Sequence, residues 1–335
     1  IVRDGRIVGE GWHERAGEPH AEVHALAMAG EQARGATVYV TLEPCSHQGR
    51  TPPCAHALVR AGVARVVAAM EDPNPRVSGR GLALLGEAGV QTESGLLEEK
   101  ARSLNPGFIS RMTLGRPWVR LKSAASLDGR TAMASGESKW ISSDASRRDV
   151  QRWRARSSAI LTGMGTVLAD DPSLNVRLDP ADLAIDTVRQ PTRVVVDSKG
   201  RMPRDARMLT LPGKTWIAAP REVAVPDGAV HVPVTRGTDG HVDLSCLMSG
   251  LADREINEVL VEAGPGLAGA LLGQGLVDEL ILYLAPHLMG DGARGLFSLP
   301  GLDRMEQRVN LEIVDIRRVA KDLRMIARPA TQGGR

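Results

Sequence analysis

Two segments decide how the first part of the chain folds: His20-Ala21-Glu22 and Pro44-Cys45-Ser46-His47-Gln48-Gly49-Arg50-Thr51-Pro52-Pro53-Cys54. One imidazole and two thiolates are ligands that zinc prefers, and three protein ligands leave the fourth tetrahedral position for water. Zinc lowers the pKa of such a water to about 7, and a carboxylate near the metal can then carry its proton. The two segments therefore predict a zinc site made by His20, Cys45 and Cys54, with Glu22 as the catalytic proton shuttle.

Zinc-dependent base deaminases place H-x-E before P-C-x-x-C. Here eight residues separate Cys45 from Cys54, so we expect an inserted loop that returns Cys54 to the metal at the start of a helix. His20 and His24 stand four apart as in zinc proteases, but that motif needs Glu directly after the first His, where this chain has Ala21.

Two simpler interpretations of the cysteines stay open. They could be buried thiols that pack as small apolar groups, although the polar residues between them argue against this. They could also belong to a structural zinc site, which needs a fourth ligand. Three further histidines could supply that ligand: His24, His47 and His56.

Length and charge limit the remaining possibilities. A chain of 335 residues exceeds the usual size of a single core, so we expect two domains. The 42 Lys and Arg nearly balance the 40 Asp and Glu, which favours neither a nucleic-acid nor a membrane partner. No apolar run approaches the ~20 residues of a membrane helix. Three cysteines cannot form a disulfide framework in so long a chain, which indicates a cytoplasmic protein.

Apolar runs and amphipathic stretches alternate along the whole chain, as is typical of α/β proteins. In the first part we expect strands over 37–42, 63–69 and 90–93, and helices over 54–60, 81–89 and 96–110. Gly115 and Pro117 interrupt this periodicity, which predicts one domain over 1–114 and a second over 115–335. In the second domain we expect a helix over 144–156, surface loops over 180–190 and 221–240, and strands over 118–124, 159–163, 193–197, 215–218, 258–262 and 280–284, with a hairpin over 311–319 and 323–326.

A glycine-rich segment, Gly264-Pro265-Gly266-Leu267-Ala268-Gly269, follows one of these strands and matches G-x-G-x-x-G. A Rossmann unit should carry an acidic residue at the end of its next strand, whereas Asp278 and Glu279 precede that strand. The Rossmann interpretation therefore fails. The segment could still bind a pyrophosphate at a helix N-terminus, or it could be only a glycine-rich turn.

Several separated motifs together resemble the bifunctional deaminase/reductases of riboflavin biosynthesis (RibD type). The resemblance covers nearly the whole chain, and its motifs are His20-Ala-Glu-Val-His24, Thr41-Leu-Glu-Pro-Cys-Ser-His47, Thr51-Pro-Pro-Cys54, Lys122-Ser-Ala-Ala-Ser-Leu-Asp-Gly-Arg130, Asp170-Asp-Pro172 and Val261-Glu-Ala-Gly-Pro-Gly266. It implies an α/β chain with a cytidine-deaminase-like three-layer domain followed by a dihydrofolate-reductase-like α/β domain. The wider spacing of the cysteines is that family's own form.

The resemblance also implies an activity, cofactors and site residues. Zinc-dependent deamination of a pyrimidine ribosylamine phosphate would be followed by NADPH reduction of its ribosyl group to ribityl, and we expect a homo-oligomer. The deaminase substrate positions are His13, His47, Arg50, Asp72 and Asn74. The reductase substrate positions are Lys122, Ser138, Arg154, Leu174, Arg177 and Glu262. Lys122, together with Asp170, could assist proton delivery during the reduction. The NADPH positions are Ala124, Trp140, Thr166, Asp170, Ser198, Gly264, Pro265, Gly266, Leu267, Ala268, Gly269 and Ala270.

Two rival functions remain at this point. One is a lone nucleoside or nucleic-acid deaminase with a non-catalytic second domain, for which the balanced charge supplies no strand-binding face. The other is a zinc-stabilised binding module without turnover.

The first residue is Ile1, and residues 1–8 resemble a hairpin around Asp4-Gly5. The resemblance implies a preceding helix and a turn of Asn-Pro-x-Val-Gly type. We therefore expect this chain to deaminate poorly and to unfold first in its N-terminal half, with the reductase half active.

Overall fold

The computed structural model describes residues 1–48 and 52–330, which separate into one compact unit over Ile1–Leu114 and a second that begins at Gly115. None of the helices in the described ranges is long and apolar enough to cross a membrane.

The first unit is built on a five-stranded sheet in the order β2-β1-β3-β4-β5. The first two strands form the expected antiparallel hairpin, with Asp4 and Gly5 at positive φ in the turn, and β3, β4 and β5 run parallel. The strands are β1 (Val2–Arg3), β2 (Arg6–Ile7), β3 (Thr37–Val40), β4 (Arg65–Ala68) and β5 (Gln91–Ser94). The helices are α1 (Ala21–Ala29), α2 (Cys54–Ala61), α3 (Arg80–Glu87), α4 (Glu98–Leu104) and α5 (Pro106–Leu114), and a 3-10 turn spans Gly30–Ala33.

Small and β-branched side chains fill the core of the first unit. Val38 and Val66 from the sheet pack with Ala25, Leu58 and Leu85 from the helices. The single helix expected over 96–110 is wrong, because Pro106 cannot continue a helix and instead begins a second one, α5.

The second unit contains a nine-stranded sheet in the order β11-β10-β9-β8-β12-β6-β13-β16-β15. All neighbours from β11 to β13 are parallel, and β16 and β15 add an antiparallel edge. Its strands are β6 (Trp118–Ser126), β8 (Ala159–Gly163), β9 (Thr192–Val196), β10 (Thr215–Ala219), β11 (Ala229–Pro233), β12 (Glu258–Val261), β13 (Glu279–Ala285), β15 (Leu311–Val319) and β16 (Asp322–Pro329). A separate two-stranded ribbon pairs β7 (Arg130–Ala132) with β14 (Arg294–Gly295).

Helices cover both faces of this sheet. On β12, Val259 and Val261 belong to one apolar core and Leu260 to the other, as the alternation of side chains along a strand requires. The helices are α6 (Asp144–Arg156), α7 (Met164–Asp170), α8 (Pro180–Leu183), α9 (Arg207–Thr210), α10 (Leu244–Asp253) and α11 (Pro265–Gly273), and a 3-10 turn spans Met305–Gln307.

Local chemistry defines α6, which begins and ends where the sequence predicts. Ser143 accepts a hydrogen bond from the backbone N–H of Ser146 at 3.3 Å, and Arg154 and Arg156 lie in the last turn, where positive charge is favourable.

Two expected loops are partly wrong. Residues 221–240 contain the edge strand β11, in which only one of five residues is buried, and residues 180–190 contain the short helix α8.

Candidate functional site

The three predicted zinc ligands meet at the ends of separate elements. His20 directly precedes α1, Cys54 is the first residue of α2, and Cys45 lies on the loop after β3. His20 Nδ1 is 3.2 Å from Cys54 Sγ and 3.6 Å from Cys45 Sγ. All three ligand atoms lie within 4.8 Å of one another, as the sequence predicts.

The chemistry of this donor set fits zinc. The Cys54 thiol donates to the Cys45 sulfur and lowers the pKa of Cys45 to about 5, against the opposing effect of burial. The backbone N–H of Cys54 also donates to that sulfur, at 3.3 Å. Since zinc binds the thiolate form of cysteine, the site holds one thiolate ready beside an imidazole and a second thiol.

Glu22 lies in the first turn of α1, two residues after the histidine, and is only 9% exposed. Burial raises the pKa of its carboxyl group. Its side chain is in hydrogen-bonding contact with Cys54, so a proton acceptor stands directly beside the three ligands. This is the geometry that a proton shuttle requires.

The predicted pyrimidine and phosphate positions surround this cluster only in part. The His13 ring packs edge-on against the His20 ring with centroids 5.1 Å apart, and Pro19 O lies 3.1 Å from His13 Nδ1. Asp72 is buried, which raises its pKa, and Asp72 Oδ1 accepts the backbone N–H of Asn74 at 2.8 Å. His47 is exposed on the loop after Cys45. Arg50 lies outside the described residues.

A cavity of about 830 Å³ opens in the second unit. Gly163 ends β8 and Gly264 follows β12, so the cavity lies at the carboxyl ends of two adjacent parallel strands, where ligands of α/β proteins commonly bind. Most of the predicted reductase residues line it: Lys122, Ala124, Ser138, Trp140, Arg154, Thr166, Asp170, Leu174, Arg177, Glu262, Gly264, Pro265, Gly266 and Leu267.

Four predicted NADPH positions do not line the cavity. Ser198 Oγ accepts the backbone N–H of Val242 at 2.9 Å, which occupies that side chain elsewhere in the fold. Ala268 and Gly269 face the core from α11, and a Cβ on Gly269 would stand 1.9 Å from Ser298 O. Ala270 is the next residue of the same helix and does not line the cavity. The match to G-x-G-x-x-G thus contributes its first four residues to the cavity, because Ala268 packs in the apolar core and Gly269 packs against the backbone of Ser298.

A buried charge cluster forms one wall. Glu262 accepts two hydrogen bonds from Arg154, at 2.6 and 2.8 Å. Burial would raise the pKa of Glu262, but the charges of Arg154, Lys122 and Arg177 lower it to about 2. Burial also lowers the pKa of Lys122, while Glu262 opposes that change. The carboxylate therefore stays ionised between cations at the cavity surface.

The lining suits a phosphorylated cofactor and substrate. Two acidic side chains, Asp170 and Glu262, stand against six basic ones, which are Lys122, Lys139, Arg147, Arg154, Arg177 and Arg294. The N-terminus of α11 also lines the cavity through Gly264, Gly266 and Leu267, whose backbone N–H groups can favour a pyrophosphate.

Sequence reasoning missed several lining residues. Arg147, Val150 and Gln151 line the cavity together with the predicted Arg154 from one face of α6, and the spacing of three, four and seven residues that signals this face is visible in the sequence. The Arg147 guanidinium lies 4.3 Å from the centroid of the Trp140 ring. Lys139 Nζ pairs with Asp170 at 3.2 Å.

Comparisons with known proteins place both units. A family model described as "RibD C-terminal domain" matches residues 117–325, and one described as "Cytidine and deoxycytidylate deaminase zinc-binding region" matches residues 1–70. The chain is 56% identical over 331 residues to riboflavin biosynthesis protein RibD of Escherichia coli (strain K12), covering 96% of this chain and 90% of that protein. It is 47% identical to the Haemophilus influenzae RibD, covering 98% and 90%.

Solved structures agree. Acinetobacter baumannii RibD, form 1, has a TM-score of 0.90 at 46% identity, covering 98% of this chain and 91% of that one. A Thermotoga maritima protein described as a diaminohydroxyphosphoribosylaminopyrimidine deaminase/5-amino-6-(5-phosphoribosylamino)uracil reductase has a TM-score of 0.86 at 33% identity, covering 98% and 90%.

Fold and sites together define a zinc-binding deaminase-like region joined to a reductase domain. The chain belongs to the RibD family of riboflavin biosynthesis proteins. The predicted fold class and the cofactors, zinc and NADPH, are thereby confirmed. The role of each individual site residue stays a prediction.

Proposed function

We propose that the unit over 1–114 carries the deaminase reaction and the unit from residue 115 carries the reductase reaction of this bifunctional RibD enzyme. The first reaction is hydrolytic deamination of 2,5-diamino-6-(5-phosphoribosylamino)pyrimidin-4(3H)-one, and the second is reduction of the ribosyl group of 5-amino-6-(5-phosphoribosylamino)uracil to ribityl. The observation that supports this division most directly is the separation of the His20, Cys45 and Cys54 cluster from the basic cavity along the chain.

In the deaminase unit, His20, Cys45 and Cys54 hold zinc, which when bound lowers the pKa of a water at the open position. Glu22 accepts the proton of the attacking water and gives it to the departing amine nitrogen. Its burial beside Cys54 suits this role, because burial raises the pKa of the carboxyl group and so makes the carboxylate a stronger proton acceptor. Asp72 and Asn74 orient the pyrimidine, and His13 and His47 complete the proposed binding set.

In the reductase unit, NADPH when bound would supply the hydride that reduces the ribosyl group. The residues Gly264 to Leu267 at the start of α11 would hold the pyrophosphate of the cofactor. Arg177 lines the cavity and donates to Asn175 Oδ1 at 3.1 Å, and its guanidinium is the proposed partner of the substrate phosphate. Glu262 holds Arg154 in place, and Lys122, buried beside both, is positioned to assist proton delivery.

The test follows both reactions in one sample. The purified chain is assayed for zinc content, ammonia release and NADPH oxidation on the first substrate. Glu22→Gln should keep zinc and lower ammonia release by roughly 10² to 10⁴-fold, since it removes the proton shuttle and keeps the side-chain size.

Arg177→Ala supplies the matched variant in the other unit. It should depress NADPH oxidation on the aminouracil and leave ammonia release unchanged. Equal ammonia release by Glu22→Gln and wild type, or a parallel loss of both activities in Arg177→Ala, would contradict the division of labour.

We further propose that the chain works in the cytoplasm, on small molecules and not on nucleic acid, and as a homo-oligomer. The near-balanced charge supports the choice of partner. Four exposed apolar side chains on the edge strand β15 support self-association: Leu311, Ile313, Val314 and Ile316. Sedimentation velocity at micromolar concentration should show a species larger than the single chain.

A further inference from the structure

A buried carboxylate that neither proposed reaction uses lies beside the metal ligands. Glu43 follows β3, two residues before Cys45, and is 3% exposed. Its Oε2 accepts the backbone N–H groups of Asp72 at 3.1 Å and Gly79 at 2.9 Å. Its Oε1 accepts those of Gly81 at 2.8 Å and Leu82 at 3.3 Å. One side chain therefore satisfies four backbone donors from a segment 29 to 39 residues further along the chain.

Two of these donors belong to the first turn of α3. The residue at the helix N-cap, Gly79, has no side chain that could accept them. Glu43 supplies the missing acceptor from another part of the fold, and its negative charge suits the positive end of the helix. The start of α3 also packs closely on the metal loop, which is the loop after β3 that carries Pro44 and Cys45. A Cβ added at Gly81 would stand only 1.9 Å from Pro44 O.

A third donor belongs to the loop that carries the proposed pyrimidine ligands. The backbone N–H of Asp72 bonds to Glu43, and the Asp72 side chain in turn accepts the N–H of Asn74. The backbone of Glu43 adds a further link, since its N–H donates to Met70 O at 3.0 Å. The distance between Cys45 and this loop is therefore defined through one carboxylate.

We propose that Glu43 is a positioning residue for deamination, which sets the place of Asp72 and Asn74 relative to the metal ligands. The inference rests on the proposed function of the first unit. Glu43 itself touches neither substrate nor metal in this account. Its effect reaches the reaction through the orientation of the pyrimidine, and a misplacement of about 1 Å can cost on the order of 10²-fold in rate.

The isosteric variant Glu43→Gln isolates this effect. The glutamine amide has one acceptor oxygen and one NH₂ donor group. In the variant the NH₂ group would replace one carboxylate oxygen and would face two backbone N–H groups, which are also donors. Those buried groups lose their partner, and we expect the loop and the start of α3 to shift away from the metal loop. The side-chain volume stays the same.

The control is Leu85→Ala in the same helix. Leu85 is fully buried in the core of the first unit, so its truncation destabilises the unit without touching the contacts of Glu43. Both variants and wild type are compared, well below their unfolding temperatures, for zinc per chain, kcat and KM of ammonia release, and NADPH oxidation on the aminouracil.

We expect kcat/KM for deamination to fall roughly 10- to 100-fold in Glu43→Gln, with a raised KM, full zinc occupancy and unchanged NADPH oxidation. Leu85→Ala should lower the unfolding temperature and keep both kinetic constants. If Glu43→Gln does not fold, Glu43→Asp decides, because a carboxylate shortened by one methylene cannot reach both the Asp72 loop and α3.

Three results would overturn the inference: unchanged kcat/KM in the folded Glu43 variant, the same kinetic loss in Leu85→Ala, or loss of zinc together with activity. An absence of ammonia release from the zinc-loaded wild-type chain would instead overturn the proposed function, and the role of Glu43 with it.

Discussion

Glu262 offers a quantitative test of the charge cluster in the reductase cavity. Its carboxylate is only 13% exposed, pairs with Arg154 in two hydrogen bonds and lies near Lys122. Glu262→Gln keeps the shape of the side chain and removes the negative charge. Arg154 and Lys122 would then remain at the cavity wall without their counter-charge, which is costly for partly buried cations.

The pKa of Glu262 gives the size of the effect. Its value in the folded protein is about 2, below the ordinary value of 4.5, so ionised Glu262 stabilises the folded state. The stabilisation is fully present above pH about 5 and is lost as the pH falls through about 2. It amounts to about 3 kcal/mol at pH 7 and to about 1 kcal/mol at pH 3.

The assay is urea unfolding followed by tryptophan fluorescence, since Trp118, Trp140, Trp153 and Trp216 all lie in the second unit. The free energy of unfolding of Glu262→Gln should fall below that of wild type by about 3 kcal/mol at pH 7, and the difference should shrink by more than half at pH 3. NADPH oxidation should fall as well. The control is Glu222→Gln, whose exposed pair with Arg236 should contribute almost nothing at either pH. A difference for Glu262→Gln that is absent at pH 7, or equal at both pH values, would refute the reasoning.

Three further results are expected. Removing the metal with a chelator should stop ammonia release and lower the unfolding temperature of the first unit. The same sample should still oxidise NADPH on the aminouracil, and loss of both activities would contradict separate sites. Gly269→Ala should destabilise the second unit by about 1 to 3 kcal/mol in thermal unfolding, because the new methyl group would overlap Ser298 O. The control is Gly273→Ala on the same helix, whose methyl group meets no atom within 4 Å and should not destabilise the unit. Ser143→Ala should cost about 1 kcal/mol in urea unfolding, because it removes the cap of α6 and the hydrogen bond that Ser143 Oγ donates to Asp322 at 2.7 Å; an unchanged stability would show that neither contributes.

The sequence was most informative where the chemistry is local. The residue types and motifs around His20, Glu22, Cys45 and Cys54 predicted the cluster, because zinc accepts few kinds of side chain and these stand in two short segments of the chain. The bounds of α6 and β8 were predicted to the residue, since a cap, a periodic face and a short buried run are all properties of neighbouring residues. The hairpin at the start followed from Asp4-Gly5 in the same way.

Other features depend on residues far apart in the chain. Arg154 and Glu262 are 108 residues apart and meet only because β12 inserts between β8 and β6 in the sheet. Glu43 stands inside a recognised motif, but nothing in that motif tells which backbone groups its carboxylate will meet. Ser198 and the end of the glycine-rich segment do not line the cavity, since Ser198 accepts a hydrogen bond from Val242 and Gly269 packs against Ser298.

The amino-acid sequence by itself therefore predicted the class of the chain through its separated motifs, and it predicted the His/Cys cluster with a carboxylate beside it and most of the helices and strands through side-chain chemistry and short-range periodicity. The tertiary structure alone decided which basic residues share the cavity, which carboxylate joins the metal loop to the pyrimidine loop, and which strands lie at the edges. Those contacts arise when whole elements pack, and the free energy of packing is distributed over residues that no local pattern connects.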